Sequence, residues 1–85
     1  MRIIYSPTFL KRYKKLPLEI KTLAEEKEVI FRKNQKTPSL KVHKLHGKLK
    51  ELWAFSVNNS HRIVFEIAKD KTVVFHSIGD HDEVY

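Results

Sequence analysis

An α+β fold, in the order strand, helix, helix and then a three-stranded antiparallel sheet, is what this sequence predicts, and two patterns predict it. Residues 61–67 alternate with a period of two, the mark of a strand with one buried face. Residues 7–33 instead space their apolar side chains three and four apart, the mark of helices that bury a stripe. One Trp, three Tyr and five Phe within a 41% hydrophobic content supply a core, and only two Gly and three Pro argue against disorder. Eighty-five residues suit a single domain spanning 1–85, too small to enclose a deep pocket, so any chemistry should sit in an open groove.

Each element has its own local cause. Arg2-Ile3-Ile4-Tyr5 is β-branched and aromatic, and Ser6-Pro7 stops it, so it is a first strand. Ser6 can cap a helix that Pro7 begins, because the first helical position needs no N–H. Phe9, Leu10, Tyr13 and Leu16 then share one face, with Lys11, Arg12, Lys14 and Lys15 largely opposite, until Pro17 breaks the helix. A second helix runs from about 18 to 33 on Ile20, Leu23, Ala24 and Ile30, forming a hairpin with the first against one face of the sheet. Residues 34–39 form a loop, and 40–50 a basic, loosely alternating stretch that Gly47 turns. Strands at 52–57, 61–67 and 72–78 are joined by turns at Asn58-Asn59-Ser60 and Lys69-Asp70-Lys71. On the strand at 61–67, His61, Ile63, Phe65 and Ile67 face the helices, and Arg62, Val64 and Glu66 face away.

Charge narrows the partners. With 17 Lys+Arg against 10 Asp+Glu, the net charge is +7 and the pI about 9.8, which favours a polyanion such as nucleic acid, or an acidic protein. The absence of cysteine excludes disulfides and thiolate metal sites. No apolar run approaches the roughly 18 residues that span a bilayer, and the N-terminus lacks the shape of a signal peptide, so a cytoplasmic protein without a membrane role is expected.

Metal-free RNA cleavage requires a base for the 2′-hydroxyl, a cation for the scissile phosphate and an acid for the departing 5′-oxygen. Histidine titrates near neutrality, and arginine offers a planar, permanent charge. Arg62 is the odd charge on a central strand, and His81 lies between Asp80 and Asp82, either of which would favour its protonated form on approaching the ring. The terminal Tyr85 after an acidic run suits a docked or stacking group better than a solvated tail. His61 reads as structural, and His76 stays ambiguous because either face of its strand could be buried. His43 and His46 stand three apart without a third ligand in register, so no metal or other cofactor is expected.

Gly47-Lys48-Leu49, Leu52-Trp53, His61-Arg62-Ile63-Val64-Phe65 and Ser77-Ile78-Gly79-Asp80-His81-Asp82-Glu83-Val84-Tyr85 resemble the RelE/ParE superfamily of type II toxin–antitoxin toxins, over the whole chain. That resemblance implies a microbial-ribonuclease-like fold and a toxin that cleaves mRNA at the ribosomal A site until a cognate antitoxin covers it. By the same resemblance, Arg62 is the phosphate-binding arginine, His81 the general acid and Tyr85 the aromatic that orients RNA. His43-Lys44-Leu45-His46-Gly47 is similar to the His-x-Leu-x-Gly segment of YafQ-like toxins, which nominates His43 as base or phosphate contact, with Lys44, His46, Lys48 and Lys50 as RNA contacts. The chain departs from the pattern as well. RelE-type toxins carry lysines where Ala54 and Ser56 stand, and YafQ-type toxins carry a histidine near Ser56 and an aspartate near Ser60. The base therefore stays open among His43, His46, Lys50 and Glu51. A ParE-type inhibitor of DNA gyrase, without the acid–base set, is the alternative function, and a homologue that only binds its antitoxin is a third.

Overall fold

A computed structural model describes residues 1–45 and 51–80. Strand β1 (Ile3–Tyr5) leads into helix α1 (Pro7–Lys14), and helix α2 (Leu18–Lys33) follows after Pro17. A single 3₁₀ turn (Pro38–Leu40) precedes β2 (His43–Lys44), β3 (Trp53–Ser56), β4 (His61–Ile67) and β5 (Val73–Asp80). The predicted helix pair is present with α2 at its expected bounds, but α1 ends at Lys14 rather than at Pro17. Ser6 caps α1 by accepting a hydrogen bond from Phe9 N at 3.0 Å, and Pro7 occupies its first turn.

The sheet differs from the expected three antiparallel strands. It has five strands in the order β1-β5-β4-β3-β2 and is mixed. β1 pairs parallel with β5, Ile3 opposite Val73 and Tyr5 opposite Phe75, so the first and last strands of the described chain lie side by side. β2, only two residues long, pairs antiparallel with β3 at the other edge. Pairing between distant segments leaves no trace in local periodicity, and a two-residue strand is too short to show any.

β5 also runs further than predicted, because Gly79 and Asp80 continue the ladder opposite Arg62 and His61. It contains a bulge as well. Phe65 pairs with Phe75 and Val64 with Ser77, leaving His76 as the extra residue. That insertion shifts the alternation by one, so Phe75 and Ile78, three apart, both reach the helix-facing core. Ser6 secures the bulge: its backbone N–H donates to Phe75 O and its hydroxyl to His76 O at 2.6 Å.

The core lies between the helices and the sheet. Phe31 from α2 is fully buried against Phe55, Phe65 and Phe75, with ring centroids 4.8, 5.0 and 5.8 Å away. Phe9 from α1 packs on Phe75 and on Tyr5. Ile63 and Phe65 join this core as predicted, whereas Ile67 at the strand end remains 43% exposed. The opposite face of the sheet buries small side chains, Ala54, Ser56 and Val64.

Candidate functional site

The β3–β4 hairpin positions the arginine. Asn58 folds its amide oxygen back to accept from Ser60 N at 2.8 Å and His61 N at 2.7 Å, an Asx-type closure of the turn. The same oxygen lies 3.2 Å from His61 Nδ1, so that nitrogen carries the proton in this contact. Arg62 is the next residue. Its Nη1 donates to Asn58 O at 2.6 Å and His61 O at 3.1 Å, tying the guanidinium to the turn. Nε and Nη2 make no hydrogen bond among the described residues, so one edge of the fork remains for an anion.

Ladder register places His43 on the same face as Arg62. His43 opposes Ala54, Ala54 opposes Val64 and Val64 opposes Ser77; Ser56, Arg62 and Gly79 form the parallel row two residues along. Two strands across and two residues along put the Cα atoms about 12 Å apart. The two side chains are therefore not brought together, and the guanidinium is drawn toward the turn, away from the His43 row. His43 Nδ1 lies 3.0 Å from Lys41 O. A carbonyl only accepts, so Nδ1 bears the proton, and in the neutral ring Nε2 is the basic nitrogen.

Residues 3–85 match the family model described as the ParE toxin of the type II toxin–antitoxin system parDE. The chain belongs to the ParE toxin family. It is a type II toxin of the RelE/ParE superfamily. No curated protein matches it, but solved structures do. A metal-bound toxin from Helicobacter pylori has a TM-score of 0.76 at 23% identity, covering 100% of this chain and 99% of that one. RelE in the RelE–RelB complex from Pyrococcus horikoshii gives 0.74 at 18% identity, over 93% and 92% of the two chains. The toxin of the E. coli DinJ–YafQ toxin–antitoxin complex gives 0.79 at 21% identity, over 98% and 94%. At these identities the likeness is one of fold.

Other predicted residues of the ParE-family toxin are placed differently. Lys44 opposes Trp53 and so lies on the helix-facing side, away from Arg62, where its Nζ bonds Glu51 Oε1 at 3.1 Å. The candidate base Glu51 is engaged in that pair. His46, Lys48, Lys50, His81 and Tyr85 lie outside the described residues. Among the described residues, no group of three His, Asp or Glu could hold a metal ion, and no helix is long and apolar enough to cross a membrane.

Sequence reasoning missed one pair in the toxin. His76, half-buried at the bulge, places Nε2 2.8 Å from Glu66 Oε1. The bulge that brings them together has no signature in the alternation of 72–78. Glu66 stands four residues from Arg62 along β4, about 14 Å away, so this pair is separate from the Arg62 row.

Proposed function

We propose that this toxin is an endoribonuclease that cleaves mRNA at the ribosomal A site without a metal, and that it acts in the cytoplasm as a single domain. Arg62 binds the scissile phosphate through the edge of its guanidinium left over from the turn carbonyls. His43 Nε2, which must swing toward Arg62 as RNA binds between the two rows, takes the proton of the 2′-hydroxyl, whose oxygen attacks phosphorus. His81 gives a proton to the 5′-oxygen as the P–O5′ bond breaks, leaving a 2′,3′-cyclic phosphate and a 5′-hydroxyl. Tyr85 stacks on the RNA, and His46, Lys48 and Lys50 contact its backbone, whereas Lys44, on the other side of the sheet, takes no part. The observation that carries the reading is Arg62, held by two carbonyls on the sheet face that also bears His43 in its Nδ1-protonated form. RelE of P. horikoshii and YafQ of E. coli were crystallised with RelB and DinJ. By analogy, a cognate antitoxin holds this toxin inactive, and an acidic one would neutralise the +7 charge.

The test is primer extension on mRNA from expressing cells, with growth arrest scored in parallel. New RNA ends should appear with the wild-type chain and vanish with His81→Ala and Arg62→Gln. A folded His81→Ala protein that keeps cleavage would remove the mechanism. The family model's description as ParE favours a second reading, inhibition of DNA gyrase. A block in a supercoiling assay without new RNA ends would establish that reading instead.

A further inference from the structure

A second cationic site lies one strand away from Arg62. β1 accompanies β5 only from Val73 to Phe75, after which the chain turns at Ser6 and α1 takes the place of a neighbouring strand. Between α1 and the end of β5 this leaves a cavity of 480 Å³, walled by Thr8, Lys11, Arg12 and Lys15 and floored by Ile78 and Gly79. The four wall residues recur at three- and four-residue spacing, so they share one helix face.

Charge identifies what the cavity accepts. Three of its wall side chains are cations, no carboxylate lines it among the described residues, and α1 contains no acidic residue. The helix dipole favours cations in the last turn, which accounts for some of this placement. Two further cavities among the described residues are more apolar. One is lined by Tyr5, Phe9 and Tyr13 with Glu25 and Glu28, and another sets Lys36 and Lys41 around an apolar floor of Val42, Trp53, Phe65 and Ile67, away from the Arg62 row. Gly79 joins this cationic cavity to the Arg62 row, because it opposes Arg62 in the ladder at about 5 Å between Cα atoms and carries no side chain to separate them.

We propose that this cavity is a phosphodiester subsite that seats the backbone of a single-stranded RNA as it runs from Arg62 across Gly79 onto α1. The proposal rests on the endoribonuclease reading for its substrate. Lysines, as point charges, read backbone rather than base, so the subsite strengthens binding without adding sequence preference.

Binding of a fluorescent single-stranded RNA with 2′-O-methyl riboses, which cannot be cleaved by 2′-hydroxyl attack, tests it independently of catalysis. Lys11 and Lys15 are exposed, so Lys11→Gln/Lys15→Gln should fold like the parent. This double variant is expected to bind at least about ten-fold more weakly and to lower the slope of log K against log salt by about 1.4, or about 0.7 for each phosphate that is no longer neutralised. Lys33→Gln/Lys69→Gln removes the same charge from exposed positions elsewhere and should have a much smaller effect. Equal losses in the two double variants, or no loss in the first, would overturn the subsite. So would unchanged RNA affinity alongside lost binding of poly-glutamate, which would assign the cavity to an acidic protein. If the wild type shows the Lys11/Lys15 dependence but leaves cleavable mRNA intact, the endoribonuclease reading fails while the subsite stands.

Discussion

Asn58 is the residue on which the arginine's position depends. Its one amide oxygen accepts from Ser60 N and His61 N and faces His61 Nδ1, while its own carbonyl accepts from Arg62 Nη1. Asn58→Ala removes the first set and leaves the carbonyl in place. With backbone donors of a partly buried turn left unpaired, unfolding free energy should fall by about 1–2 kcal/mol in urea titrations. An unchanged midpoint would mean that the turn closes without the amide. Arg62 is legible in the sequence because a cation inside an alternating strand breaks the pattern. The anchoring of that cation is not, since side-chain bonds to turn carbonyls depend on backbone direction, which Asn58-Asn59-Ser60 does not spell out. His61, structural by its place in the pattern, is held at its ring by the same Asn58 oxygen.

Elements are joined at two junctions, and both are half-legible in the sequence. Ser6 caps α1 as its place before Pro7 implies, but its hydroxyl also donates to the bulge carbonyl of His76. Ser6→Ala should therefore cost about 2 kcal/mol, one part for the cap and one for the bulge bond, against about 1 for a cap alone. Ser6→Thr, which retains a hydroxyl, should recover most of the loss; the measurement is the denaturation midpoint of each variant. The second junction ties β1 to α2: Tyr5 OH donates to Glu28 Oε2, and Arg32 contacts both. Burial, reinforced by the Glu28 carboxylate and opposed by the Arg32 charge, holds the Tyr5 hydroxyl above its ordinary value of 10.0. The folded state thus binds this proton more tightly than the unfolded state does. The stability it contributes is complete below about pH 10 and is lost as pH rises through the higher folded value. Wild type should exceed Tyr5→Phe by a constant margin at neutral pH, and the margin should shrink above about pH 10 in thermal melts. A margin that grows with alkalinity would reverse the assigned sign.

At the scale of the whole molecule, the order of elements is legible and their meeting points are not. The strands at 61–67 and 72–78 announce themselves by alternation and β-branching, yet nothing local tells that Ile3 lies beside Val73, 70 residues away, or that β1 runs parallel to β5. The aromatic residues behave likewise. Phe31, Phe55, Phe65 and Phe75 are each visible as apolar positions, but their convergence exists only after the sheet has closed. Phe31 of α2 packs its ring on phenylalanines of β3, β4 and β5, so it couples the helical layer to three of the five strands at once. At about 0.05–0.15 kcal/mol per residue, a chain of this length has a total stability of about 4–13 kcal/mol. Phe31→Ala should cost about 3–5 kcal/mol, because the lost transfer energy is compounded by a cavity that three rigid rings cannot collapse to fill. The variant should therefore lie close to its unfolding threshold at 25 °C, with a broad or absent thermal transition, while Phe31→Leu should retain a cooperative one. Leu18→Ala, at a helix position 80% exposed, removes apolar atoms that water already reaches and should move stability by less than about 0.5 kcal/mol. Comparable losses in Phe31→Ala and Leu18→Ala would mean that the aromatic cluster does not hold the two layers together.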